Sequence, residues 1–376
     1  MGKGLLKRNW QQPVFNILNN WFTERGNRLP TEKNIAVFDF DDTCIFRDVG
    51  QAVFRYQLLT LSLRLSPDDF SALFPTDVGP IEGIGAELIF SQLNALYRKL
   101  FIAVRRNREA ICKLAEYQQF IVLLVWFVRA ARNHPDLGHA YSLSLMTRML
   151  AGHSAAEVRL LTRSALDFAQ MIPLFSMNQS VDVGGGIGYL QVEHHNGLRV
   201  FPEMVDLMAC FNRCGVRCCV VSASSQWIVE AAVEYFGFPV TRKDIYGIRV
   251  CLDDAGKLTT DMATNYPVTY RNGKQWVIEH LIQDTPVFVA GDADTDYEML
   301  TMQGIPMRLI LHHDKQGKIR ELYHDPRFLV QPVDRQRGCL SHGKARHLRS
   351  PRNQQALLKI CWLQVSALPV SFPCKK

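Results

Sequence analysis

Three groups of polar residues stand where apolar runs stop: Asp39-Phe-Asp41-Asp42-Thr43, Ser222-Ala-Ser224 and Gly291-Asp292-Ala-Asp294-Thr-Asp296; a fourth, Lys274, precedes a helical stretch. Carboxylates crowded at one place repel one another, and each resists ionisation unless positive charge sits among them. A lysine and a hard divalent ion such as Mg²⁺, which takes a few carboxylates and keeps its waters, supply that charge. Taken singly, each group has an ordinary reading. Asp41-Asp42-Thr43 reads as a loop with capping residues, Ser222 to Ser225 as a helix start, Lys274 as a solvated lysine and Gly291-Asp292 as a turn. Taken jointly they describe a site.

Such a site needs strands that end where these residues begin. Asn34 to Phe38, Arg217 to Val221 and Val287 to Ala290 are short apolar runs without polar alternation, the pattern of strands covered on both faces of a parallel sheet. Helical patterns over Pro202–Cys214 and Gln226–Phe236 end at Gly215 and Gly237, residues 274–283 read as helix, and Pro13 opens a helix over 12–25. Strands alternating with helices predict an α/β fold with a Rossmann-like parallel sheet, its site at the carboxyl ends of the strands. From about 48 to 180 strand signals nearly vanish. Ser66-Pro67-Asp68-Asp69 is a helix start, Ser154-Ala-Ala-Glu157 is a capping box, and apolar residues over 84–104 and 141–150 keep helical spacing. The expected organisation is core over 1–47 and 199–338, an all-helical cap over 48–198, and a poorly ordered basic tail over 339–376. Gly184-Gly-Gly-Ile-Gly188 lacks the lysine and the strand-to-helix setting of a phosphate loop, and reads as a flexible return from cap to core.

The four groups, in this order, resemble the motifs of the haloacid dehalogenase (HAD) superfamily of phosphohydrolases, over roughly 30–48 and 198–333. The resemblance implies a phosphatase in which Asp39 attacks phosphorus to form an aspartyl-phosphate, while Asp41 protonates the leaving alkoxide and later activates water. It assigns Mg²⁺ to Asp39, the Asp41 carbonyl and Asp292, with Asp296 and Thr43 in support. Ser222 and Lys274 would bind the phosphoryl group. Phosphate monoesters are so inert that an enzyme must supply about 20 kcal/mol or more of transition-state stabilisation, which explains the need for nucleophile, acid and positive charge together. The helical insertion resembles the phosphoserine phosphatase-like branch. Ala36-Val-Phe-Asp39, Val200-Phe-Pro-Glu-Met204, Val221-Ser-Ala223, and Val289-Ala-Gly-Asp292 with Asp296-Tyr-Glu-Met-Leu300 are similar to its phosphorylcholine phosphatases. Asp48, nine places after the nucleophile, occupies the position that in phosphoserine phosphatases helps bind an ammonium group, or else it caps the first cap helix. The expected substrate is a small phosphate ester, with amino-alcohol phosphates such as phosphorylcholine or phosphoserine foremost, and Tyr117, Trp126, Tyr141 and Tyr189 are cap aromatics available to a choline. The same residues would serve phosphoryl transfer to an alcohol, and the fold can also bind without turnover.

Composition narrows the setting. The chain has 376 residues, 47% of them hydrophobic, with 43 Lys and Arg against 36 Asp and Glu. Seven of those cations fall in 341–376, which holds no acid, so 36 cations face 36 acids before it. The body is therefore neutral, and no nucleic-acid role is expected of the core; an anionic surface is the partner open to the tail. The longest apolar run, Phe120 to Val128, is too short to cross a bilayer, and no export signal is read at the N-terminus. Cys210, Cys214, Cys218 and Cys219 lack zinc-ribbon spacing and read as small hydrophobes, so a reducing cytoplasm is expected.

Overall fold

The computed structural model describes residues 4–25, 34–106 and 111–342. Its centre is a seven-stranded sheet, in the order Cys339–Leu340, Phe328–Asp334, Met307–His312, Phe288–Gly291, Ile35–Phe38, Arg217–Ser225 and Ile245–Ile248. All neighbours run parallel except the edge pair Phe328–Asp334 and Cys339–Leu340. The expected parallel α/β core is thus present. Ile35–Phe38, buried along its whole length, lies between the strands that lead to Asp292 and to Ser222.

The main apolar cluster lies on one face of this sheet. Phe211, fully buried on helix Pro202–Arg213, sets its ring 5.2 Å from Trp21, 5.0 Å from Phe22, 6.1 Å from Phe38 and 4.9 Å from Phe288, measured between centroids. It thereby joins helix Gln12–Arg25 to the two strands that carry Asp39 and Asp292. A smaller cluster on the other face includes Val37, Val289, Ile310 and Val277.

The segment after Asp48 departs from an all-helical cap. Most of it is helical, including Val49–Leu59, Ala86–Arg106, Ala115–Ala130 and Gly138–Arg148. However, Phe175–Asp182 and Tyr189–Asn196 pair as an antiparallel hairpin, and the glycine-rich stretch after Asp182 is its connection. Glycine is required there, because Gly184, Gly185, Gly186 and Gly188 all have positive φ. The insertion's own apolar core runs from Phe54 to Ala151 and resumes in the hairpin. Helix Ala155–Met171, capped at Ser154 by the expected box, packs instead in the main cluster with Val229, Ala232 and Val233. At the other boundary, Cys339 and Leu340 belong to the sheet rather than to a tail, and Gln331 Nε2 donates to the Ser341 carbonyl at 3.0 Å. The basic tail beyond His342 lies outside the described residues. Among the described residues no helix is long and apolar enough to cross a membrane.

If Phe211 ties the first helix to the central strands, Phe211→Ala will cost about 3–5 kcal/mol of unfolding free energy, and Phe211→Leu markedly less. Urea denaturation measures both, and a loss within 1 kcal/mol of zero (a small surface-type effect) would contradict the assignment.

Candidate active site

The ladder that builds the sheet also fixes Asp39, whose amide donates to the Ala290 carbonyl at 2.9 Å. Its neighbour strand ends at Gly291, and a Cβ there would stand 2.7 Å from Asp296 Cβ, so only glycine lets the chain turn back this closely. Asp296 is then pinned through Oδ2 by the amides of Asp292 (2.9 Å) and Ala293 (3.1 Å). Its Oδ1 accepts from Lys274 Nζ at 2.6 Å, and the same ammonium contacts Asp39 Oδ1. Lys274 is brought in by helix Asn272–Val277, at whose start a Cβ on Gly273 would meet the Val268 carbonyl oxygen at 1.9 Å. The Thr43 hydroxyl lies 3.3 Å from both Asp39 Oδ2 and Asp292 Oδ1. All five of these side chains are buried.

The opposite wall comes from the strand Arg217–Ser225. Its pairing with Ile245–Ile248 slips between Val221 and Ser225, an irregularity that turns two serine hydroxyls toward one acceptor. Asp41 Oδ2 accepts from Ser224 at 2.7 Å and from Ser222 at 3.3 Å, while Oδ1 accepts from the Val49 amide at 2.7 Å. Asp42 sits at φ +58°, a conformation that aspartate tolerates better than most residues, and its Oδ1 accepts from the Arg47 amide at 2.7 Å.

The structure brings together Asp39, Asp41, Thr43, Ser222, Lys274, Asp292 and Asp296, the residues the motifs single out. For Asp48 the structure shows the capping role, one of its two sequence readings. It is the N-cap of helix Val49–Leu59, with Oδ1 accepting from the Gln51 amide at 2.8 Å and Oδ2 from the Gln51 side chain at 3.0 Å. The proposed cap aromatics do not line the adjoining cavity. Tyr117 and Trp126 are buried in the insertion's core, Tyr141 bonds the Leu73 carbonyl, and Tyr189 points to solvent at 78% exposure.

Ser224 stands in the second group of the sequence reading but was given no role there. One contributor escaped that reading altogether: Lys315, whose ammonium contacts Asp292 Oδ2 and lies 3.0 Å from Asp42 Oδ2. It follows strand Met307–His312, an apolar run that breaks into His-His-Asp-Lys, so the rule that located the other groups also marks this one. His313 shares that loop and bonds the Asp42 carbonyl at 2.6 Å.

Charge accounts for the arrangement. Burial, reinforced by Asp296 and Asp292, pushes Asp39 well above the usual carboxylate range despite Lys274. Burial with Asp48 and Asp39 nearby does the same to Asp41. Burial pushes Asp292 up to about 7, with Lys315 pulling against Asp42 and Asp296. Burial alone would lower Lys274, but Asp296 and Asp39 hold it above its ordinary value. Oxygens of Asp39, Asp292 and Asp296 lie within 4.8 Å of one another. Three buried oxygen donors with more acid than cation around them suit a hard divalent ion.

The haloacid dehalogenase-like hydrolase family model matches residues 117–301, which contain Ser222, Lys274, Asp292 and Asp296. The chain is a HAD superfamily, phosphatase-like protein. Its fold is shared with a conserved protein of unknown function from Anaerococcus prevotii DSM 20548, at 24% identity and TM-score 0.82 over 93% of this chain and 100% of that one. A phosphoserine phosphohydrolase-like protein from Francisella tularensis subsp. tularensis SCHU S4 aligns at 10% identity and TM-score 0.40, over 79% of this chain and 94% of that one. No curated protein matches in sequence.

A carboxyl raised to about 7 keeps its proton in the folded chain where the unfolded chain has lost it, so its burial costs stability as pH climbs from the ordinary aspartate range through 7. A divalent ion needs the ionised form and competes with that proton. The rise in thermal midpoint on adding Mg²⁺ will therefore be larger at pH 8 than at pH 5.5, and will be lost in Asp292→Asn. Equal rises at both pH values would contradict the assignment.

Proposed function

We propose that this protein is a Mg²⁺-dependent phosphomonoester hydrolase acting on a small molecule through an aspartyl-phosphate on Asp39. The observation that carries the reading is the buried bridge from Lys274 to Asp39 and Asp296, which costs too much desolvation to persist as mere packing. Asp39, Asp292 and the Asp41 carbonyl would hold the ion, which when bound neutralises phosphoryl oxygens and carboxylate together.

The protein's own groups do the rest. An Asp39 oxygen attacks phosphorus as the ester P–O bond breaks, and Asp41 gives its proton to the departing oxygen. The raised affinity of Asp41 for a proton, caused by burial and by Asp48 and Asp39, suits it to that task. Asp41 then takes a proton from water as the water oxygen attacks phosphorus. The bond from phosphorus to Asp39 breaks, phosphate leaves, and both carboxyls are restored. Lys274 stays charged throughout and balances the growing negative charge, held in aim by Asp296. Ser222 donates to a phosphoryl oxygen, and Ser224 keeps Asp41 oriented. Gly50, Val53 and Phe54 of the insertion line a small pocket with Ser224 and Ser225 at this end of the sheet, where closing over a substrate would exclude water. A cytoplasmic setting suits the eight described cysteines, all free thiols.

An aryl phosphate with and without Mg²⁺ tests the reading. The wild type will turn over only with metal, Asp39→Asn will be silent, and Asp41→Asn will slow by about 10²–10⁴-fold. Metal-dependent turnover that survives Asp39→Asn would overturn it.

A further inference from the structure

A cavity of about 630 Å³ lies beside the buried cluster, within the size range of small-molecule sites, and meets the cluster through Asp42, Asp48 and Lys315. Its walls carry six cations: Lys315, Arg47, Arg55, Arg129, Arg132 and Arg335. Four acids also line it, namely Asp42, Asp48, Glu193 and Asp314. Two of these are already engaged, Asp42 by Lys315 and Asp48 by Gln51. A third, Glu193, lies 3.8 Å from His195. Arg55 donates to Asn196 and Arg129 to the Glu193 carbonyl, both uncharged acceptors. Among the described residues, Arg47, Arg129, Arg132 and Arg335 form no ion pair with a carboxylate. The Nε groups of Arg47 and Arg132 are buried without a hydrogen-bond partner. Leaving a buried guanidinium donor unsatisfied is expensive, so its persistence points to a partner that arrives from outside.

We propose that the substrate's leaving group carries a second anionic group, a phosphate or a carboxylate, which the cavity arginines bind while the scissile phosphate sits at Asp39. This deepens the phosphatase reading and rests on it for the position of the scissile group. The guanidinium fork fits either anion through paired hydrogen bonds. The arginines come from separate parts of the chain. Arg47 precedes helix Val49–Leu59, Arg129 and Arg132 lie at the end of Ala115–Ala130 and just after it, and Arg335 follows strand Phe328–Asp334. Core and insertion thus meet over the same charge. Burial holds Arg47 below the usual guanidinium range against the attraction of Asp42 and Glu193, with Arg335 adding repulsion, and it holds Arg129 down likewise, with repulsion from Arg132 against attraction from Glu193. An amino-alcohol leaving group has the opposite sign. Asp48, on which that expectation rested, already accepts two hydrogen bonds from Gln51 and is attracted to Arg132, and none of the four proposed aromatics lines the cavity.

Binding without turnover separates this inference from the activity. Calorimetric titration of the Asp39→Asn protein with Mg²⁺ present compares glycerol 1,3-bisphosphate, 3-phosphoglycerate, glycerol 3-phosphate and phosphoethanolamine. At least one of the two doubly anionic esters will bind about tenfold or more tighter than glycerol 3-phosphate, with phosphoethanolamine weakest. Whichever of the pair binds tighter identifies phosphate or carboxylate as the second group. Arg132→Gln will bring the ratio of the preferred ester to glycerol 3-phosphate close to one. Arg335→Gln, at an exposed position where folding is not at stake, will lower the same ratio. Equal affinities across the series, a preference for phosphoethanolamine, or ratios unchanged in both variants would overturn the proposal. A wild type that hydrolyses nothing while this binding order holds would instead count against the phosphatase reading alone.

Discussion

Lys274 carries its ammonium to a point with no solvent exposure and depends there on two carboxylates, Asp39 and Asp296. Moving one ion this far from water costs several kcal/mol, and removing a partner leaves an uncompensated charge. Much of the local backbone serves to keep the three groups in register. Gly273 admits the helix that delivers Lys274, Gly291 admits Asp296, and the amides of Asp292 and Ala293 fix the far oxygen of Asp296. The central strand holds Asp39 through the Ala290 carbonyl, and behind it Phe211 and Phe288 close the core.

This cluster is chemically poised but electrically incomplete. Asp39, Asp41 and Asp292 all hold protons more tightly than ordinary carboxyls because burial and mutual repulsion outweigh the lysines. The imbalance matches a site that works with a divalent ion and a phosphoryl group, where acid must be available to donate as well as to accept. The adjoining cavity has the reverse imbalance, with arginines short of partners. A molecule with an anion at each end would satisfy both.

Much of this was legible in the sequence because the physical rule is simple: apolar strands of a parallel sheet end at the site. Asp39, Ser222 and Asp292 were found that way, and Lys274 by its place in the motif order. Lys315 obeys the same rule and was passed over because His312 to Lys315 resembles an ordinary polar loop. The hairpin was missed because its buried face includes His194 and Asn196, so the alternation of buried and exposed residues is not an alternation of apolar and polar ones. Asp48 was ambiguous in sequence, since helix capping and ammonium binding ask for the same residue, and the two bonds to Gln51 show the capping role. The slip at Ser222 to Ser225 depends on pairing with a distant strand, which local sequence does not encode.

The central claim is that Asp39 becomes covalently phosphorylated. Quenching the protein during turnover of a phosphate monoester, reducing with borohydride and mapping peptides by mass spectrometry tests it directly, because an aspartyl-phosphate is reduced to homoserine. Homoserine is expected at position 39 and at no other aspartate. Steady turnover with position 39 unmodified, or with the label at Asp41, would contradict it.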